Sequence, residues 1–252
     1  MKTMIEGKNI VKSFGKDSEK VKILNNLDIN IEEGQFVAIM GPSGSGKSTI
    51  MYAISGMDTI DSGNVLFDQE PINAMGEVAL ADLRREKMGF IFQQPTFLKN
   101  LSILDNIILP SMKEKNLSIN QLIHRAEDLM RKVGIAELKD RKINQVSGGQ
   151  LQRAGICRAL MGQPKVIFGD EPTGALNSKA AQEILNILLK INEEGTTIIV
   201  VTHDAKVAAQ SERILFVGDG HLVDELYLGK YTNQQLDRRM ELVSETVIKT
   251  EI

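Results

Sequence analysis

Phe36-Val37-Ala38-Ile39-Met40-Gly41-Pro42-Ser43-Gly44-Ser45-Gly46-Lys47-Ser48 is the stretch that decides the fold. Its first five residues are an unbroken apolar run, which suits a strand buried on both faces, as in a parallel sheet. The remaining eight match G-x-x-x-x-G-K-[ST], a loop that cradles phosphate. Its glycines let backbone N–H groups converge on phosphate oxygens where a Cβ would obstruct them. Lys47 would reach the β- and γ-phosphates, and the Ser48 hydroxyl would ligate Mg²⁺. The stretch from Thr49 to Ser55 is predicted to be a helix whose positive N-terminal end faces those phosphates. Strand, loop and helix in this order imply a bound nucleoside triphosphate, an arrangement that kinases, GTPases and ATPases share.

Working outward, two more apolar runs follow, Val166-Ile167-Phe168 and Thr197-Ile198-Ile199-Val200-Val201. Each comes after a helical stretch, and that alternation predicts an open α/β sheet. Upstream, the first 70 residues read as short β segments, with Leu27, Ile29 and Ile31 alternating with polar neighbours. Between Gln94 and Val146 the chain turns rich in Leu, Ile, Lys and Glu. Leu122, Ala126, Leu129, Met130 and Val133 recur there at helical spacing, so a helical insertion is expected. The runs Arg213–Val217 and His221–Glu225 flank Gly218-Asp219-Gly220, a β-hairpin pattern. Beyond Gly229 lies a charged tail in which Leu236, Met240, Val243 and Val247 share one helical face. That face could dock on its own domain, on a second subunit or on a membrane partner.

Composition narrows the function classes. The 252 residues carry 30 Lys and Arg against 33 Asp and Glu, a net charge of −3. Binding nucleic acid needs clustered positive charge to displace counterions, so no nucleic-acid partner is expected. Hydrophobic residues make up 42% and charged residues 25%, ordinary values for a globular protein that buries its own core. The one cysteine, Cys157, excludes an intramolecular disulfide and a cysteine zinc cage, and fits a reducing compartment. No apolar run approaches the roughly 18 residues needed to cross a bilayer. Residues Met1 to Glu6 offer no apolar core for a signal peptide.

Further motifs complete the pattern. Gly89-Phe90-Ile91-Phe92-Gln93 precedes the helical insertion, and Val146-Ser147-Gly148-Gly149-Gln150 leads into a helical run. Val166-Ile167-Phe168-Gly169 ends in Asp170-Glu171-Pro172, and Thr202-His203-Asp204 follows the strand Ile198–Val201. In this order they resemble the ATP-binding cassette (ABC) ATPases, up to about Gly229. The resemblance implies an α/β P-loop NTPase cassette over residues 1–228. Such a cassette has a mainly parallel sheet core, an N-terminal antiparallel β subdomain and a helical subdomain inserted at about 94–160. Residues 229–252 remain as an amphipathic tail. ATP and Mg²⁺ are the implied ligands. Gly41, Pro42, Ser43, Gly44, Ser45, Gly46, Lys47, Ser48 and Thr49 would hold the nucleotide, with Ser48, Gln93 and Asp170 at the metal. Glu171 is similar to the catalytic glutamate, His203 to the switch histidine and Gln93 to the Q-loop glutamine. Ser147, Gly148, Gly149 and Gln150 look like the signature loop, which in this family meets the ATP held by an opposite subunit. A head-to-tail dimer of this chain is therefore implied.

The residue types suit those roles. Asp170 closes a buried strand at its C-terminal end, where α/β sheets place ligands. Glu171 could accept a proton from an attacking water, help typically worth ~10²- to 10⁴-fold in rate. Ser147-Gly148-Gly149 opens a helix and so offers N–H groups to an anion. Phe14 matches the aromatic that stacks on adenine. It keeps the ring but lacks the usual tyrosine hydroxyl, so weak discrimination between ATP and GTP is expected. Asn177 stands where the D-loop usually has aspartate, which puts communication between paired sites in question. His124 and His221 lack such context and read as surface residues.

These motifs do not encode the load that the engine drives. The expected load is an integral-membrane permease on a separate polypeptide, with the chain on the cytoplasmic face of the membrane. Phe97, Leu98 and Leu101 are candidates to line the permease groove. Phe92–Leu98 and Pro172–Asn177 resemble the branch for lipoprotein release, macrolide export and bacitracin-type peptide resistance. Within it, the tail and Gly174-Ala175-Leu176-Asn177 most resemble the antimicrobial-peptide group. The alternatives are a cell-division-type ABC module that signals without transport, and a soluble ABC protein of DNA repair or translation. The latter expects coiled coils, zinc modules or a second cassette.

Overall fold

The computed structural model describes residues 2–15, 20–113 and 117–250. In chain order the strands are β1 (Thr3–Phe14), β2 (Val21–Glu32), β3 (Phe36–Met40), β4 (Ser62–Phe67), β5 (Glu70–Pro71), β6 (Met88–Phe92), β7 (Val166–Asp170), β8 (Thr197–Thr202), β9 (Arg213–Gly218) and β10 (His221–Tyr227). The helices are α1 (Lys47–Ile54), α2 (Glu77–Lys87), α3 (Ile103–Ile108), α4 (Ile119–Lys132), α5 (Gly148–Leu160), α6 (Ser178–Glu193), α7 (Ala205–Ala208) and α8 (Leu236–Thr250). Met1–Leu80 with Gly195–Ile252 forms one compact unit, and Ala81–Glu194 forms a second. Among the described residues no helix is long and apolar enough to cross a membrane.

In the first unit every residue of β3 and β8 is buried, as their apolar runs require. β3 pairs in parallel with β8, from Phe36 opposite Ile198 to Met40 opposite Thr202, and in parallel with β9 on its other side. β10 returns antiparallel to β9. Its turn residues Asp219 (φ 46°) and Gly220 (φ 74°) both take the left-handed conformation that tight hairpins favour. A separate antiparallel sheet has the order β2-β1-β4-β5. β1 and β2 run 12 residues each, longer than the short segments expected from alternation. They extend through register shifts, and Asn9 (φ 50°) and Asn26 (φ 51°) absorb local bends in the left-handed region that asparagine tolerates.

The tail helix α8 packs on α7 and β10 of the same unit. Val243 is fully buried there, and Arg239 is only 3% exposed. The Arg239 guanidinium donates to the carbonyls of Ala209, Ser211, Leu228, Gly229 and Lys230, which satisfies chain ends on both sides of the hairpin.

In the second unit β6 and β7 run parallel, with Phe90 stacked on Phe168 at 5.4 Å. Helices α3, α4 and α5 enclose a core of Ile103, Ile107, Leu122, Ala126, Met130 and Cys157. Each of the three starts with a serine cap in a reciprocal capping box: Ser102 with Asp105, Ser118 with Gln121, and Ser147 with Gln150. Burial pushes the Cys157 thiol up to about 12, so it is a small apolar filler at neutral pH. Gly155 allows α5 to approach Pro95, since a Cβ there would sit 3.3 Å from the proline ring.

Candidate nucleotide and catalytic residues

The first unit holds the phosphate loop between β3 and α1. A Cβ at Gly41 would lie 2.1 Å from the Val217 carbonyl oxygen, so only glycine fits against β9. Gly46 takes φ 98° at the N-cap of α1 and gives that helix no side-chain cap. By contrast α3, α4, α5, α6 and α7 are each capped by a Ser, Asn or Asp side chain. An uncapped N-terminus offers its first N–H groups and the helix dipole to an anion. Inside the loop the Ser45 hydroxyl is buried and has no hydrogen-bond partner. These features fit a bound phosphate group.

The Lys47 side chain is buried and arches across the loop, donating to the Pro42 carbonyl at 2.6 Å. The hairpin braces the loop from behind. Gly220 N–H donates to the Ser45 carbonyl at 3.1 Å, and a Cβ at Gly220 would collide with the Ile23 carbonyl at 1.9 Å. Pro42, Ser43 and Gly44 are exposed, whereas Ser48 and Thr49 are half-buried in the first turn of α1. Phe14, at the end of β1, is 47% exposed. His203 is exposed just beyond β8. Asp204 N–H donates to the Thr202 hydroxyl and Asp204 caps α7, so the turn carrying His203 is fixed on both sides.

The second unit gathers the remaining candidates. Asp170 ends β7, and the next residue, Glu171, has φ 47°. A glutamate in the left-handed region is uncommon and stores strain that the surroundings must enforce. Gly174 N–H closes the turn onto the Glu171 carbonyl at 3.0 Å. A Cβ on Gly174 would lie 2.9 Å from the Gln93 amide nitrogen, so Gln93 reaches to the segment after Glu171. Ser147, Gly148, Gly149 and Gln150 line a hollow of about 430 Å³ together with Asn177, Arg153 and Glu183. Asn177 caps α6, accepting from Ala180 N–H at 2.9 Å, a task asparagine and aspartate perform equally well.

Gln152 escaped the reading of the sequence. It is 1% exposed, and its amide donates to the Phe92 carbonyl at 3.0 Å and to the Pro172 carbonyl at 2.8 Å. It thus holds the residue before Gln93 and the residue after Glu171. Its only signal in the sequence is polarity on the buried face of α5, one turn before Ile156.

Among the described residues no group of three or more His, Cys, Asp or Glu could form a protein-only metal cage. Ser48 carries a hydroxyl in the first unit, and Asp170 and Gln93 carry a carboxylate and an amide in the second. Oxygen donors of these kinds suit Mg²⁺, which keeps several waters and binds through one or two carboxylates plus substrate phosphates.

The ABC transporter family profile matches residues 24–174. The chain is 42% identical over 222 residues to the macrolide export ATP-binding/permease protein MacB of Mannheimia succiniciproducens, covering 88% of this chain and 34% of MacB. It therefore spans about a third of the length of that relative. It is 39% identical over 237 residues to the bacitracin export ATP-binding protein BceA of Halalkalibacterium halodurans, covering 92% of this chain and 91% of BceA. Among solved structures it is similar to the ATP-binding cassette MJ0796, a dimer in a post-hydrolysis state bound to ADP and Pi. That match has a TM-score of 0.84 at 39% identity, covering 90% of this chain and 100% of the other. A nucleotide-free cassette from an ABC transporter matches with a TM-score of 0.82 at 26% identity, over 99% of both chains. The chain belongs to the ABC transporter family, and its α/β fold is that of the ATP-binding cassette.

Proposed function

We propose that the chain is the ATP-binding and ATP-hydrolysing subunit of a transporter, powering an integral-membrane permease. The observation that carries this reading is the phosphate loop, in which Gly41 leaves no room for a Cβ, Gly44 and Gly46 take positive φ, and helix α1 lacks a side-chain cap. In this reading the α1 amides and Lys47 bind the β- and γ-phosphates, and the exposed face of Phe14 receives the base. Mg²⁺, held by Ser48, Asp170 and Gln93, would neutralise phosphate charge as the γ-phosphoryl group transfers to water. Glu171 orients the attacking water and accepts its proton, and His203 hydrogen-bonds the γ-phosphate. Ser147, Gly148, Gly149 and Gln150 meet the nucleotide of a second copy, which makes the working unit a head-to-tail dimer.

The names of the MacB and BceA relatives support export of, or resistance to, antimicrobial peptides or related lipophilic compounds. BceA, an ATP-binding protein matched over 91% of its own length, supports a permease on a separate polypeptide. The chain would then sit at the cytoplasmic face of the membrane through that partner. Phosphate release from Mg·ATP tests the reading. Lys47→Ala should weaken nucleotide binding, and Glu171→Gln should slow hydrolysis at least ~100-fold. Hydrolysis by Glu171→Gln at the wild-type rate would remove Glu171 from the catalytic role.

A further inference from the structure

Lys12 is buried at 6% exposure near the end of β1, two residues before Phe14. A buried ammonium needs partners, and this one has three. It donates to the Thr59 carbonyl at 2.5 Å and pairs with Asp58 at 2.8 Å, both in the turn that follows α1. Its Nζ also lies over the Phe14 ring, 4.9 Å from the centroid, within cation–π range. One face of the exposed ring therefore lies against a charge that is itself anchored to the turn after the phosphate-loop helix. A free aromatic at a strand end would sample several rotamers and lose that freedom on binding. A ring already clamped on one face does not.

We propose that Lys12 positions Phe14 as the stacking platform for the nucleobase, fixing one ring face so that the other is presented at a set distance from the phosphate loop. This rests on the reading of Phe14 as the base's partner. Both contacts to the turn belong to Lys12 itself, whereas the backbone bond from Asp61 N–H to the Val11 carbonyl at 2.8 Å holds the strand independently. Loss of the ammonium should therefore release the ring without unpairing β1.

Titration calorimetry with ADP, GDP and pyrophosphate tests the proposal, because pyrophosphate engages the loop without a base. Lys12→Met should weaken ADP and GDP about two- to fivefold and leave pyrophosphate unchanged. Lys12→Arg, which keeps a cation over the ring, should restore ADP affinity, and it replaces Lys12→Met as the informative variant if the latter does not fold. Phe14→Ala should weaken ADP about fivefold or more, and adding Lys12→Met to it should cost nothing further. Equal losses for ADP and pyrophosphate, or a full Lys12 effect in the Phe14→Ala background, would overturn the proposal. So would Lys12→Met binding ADP as the wild type does while Phe14→Ala binds it weakly. If Phe14→Ala binds ADP normally, the stacking role of Phe14 falls, and the proposal with it.

Discussion

Gln152 and Glu171 carry the account at the scale of single residues. Glu171 sits at φ 47°, and the carbonyls of Phe92 and Pro172, next to Gln93 and Glu171 in the chain, are tied to one buried amide, that of Gln152. Gln152→Leu keeps the volume of the side chain and removes both donors, leaving the Phe92 and Pro172 carbonyls without their partner. Each unpaired buried carbonyl costs about 1–3 kcal/mol, so the thermal midpoint should fall. The larger expected effect is on kcat, about tenfold or more, with KM for ATP little changed, because the phosphate loop is untouched. A normal kcat at a lowered midpoint would show that Gln152 serves stability alone. The motif residues are legible in the sequence as candidates, since each chemistry demands a residue type at a fixed place after a strand. The left-handed Glu171 and the bridging amide of Gln152 are not. Both depend on contacts between segments far apart in the chain.

Secondary elements show the same division. The strand, loop and helix at 36–54 and the capping boxes of α3, α4 and α5 are local patterns, readable from apolar runs and from S-x-x-D or S-x-x-Q spacing. The tail helix was readable as amphipathic, and Val243 is indeed fully buried on that face. Arg239, four residues earlier, is buried beside it. Its anchoring carbonyls come from residues 209, 211 and 228–230, so no pattern within the helix announces them. Arg239→Met should free α8 and destabilise the protein by about 2–3 kcal/mol, chiefly through the buried carbonyls of Ala209 and Ser211. Hydrogen exchange should then speed up along 236–250 while ADP affinity is kept. Unchanged protection of α8 would show that Val243 and its neighbours hold the helix without Arg239.

At the scale of the whole molecule, the candidate site residues divide between the two compact units. The first carries Phe14, the phosphate loop and His203, and the second carries Gln93, the signature loop, Asp170, Glu171 and Asn177. The proposed signature contact assigns completion of each site to a second copy, which no single sequence could display. Asn177 bears on this pairing: it caps α6 as aspartate would, so its lost charge, not a lost helix start, is what distinguishes it. Light scattering of Glu171→Gln with Mg·ATP tests whether two copies pair around the nucleotide. The mass should double from the 27.9 kDa of one chain on adding Mg·ATP and stay at that value when Lys47→Ala is added. A Glu171→Gln protein that binds Mg·ATP yet stays at the mass of one chain would contradict that pairing.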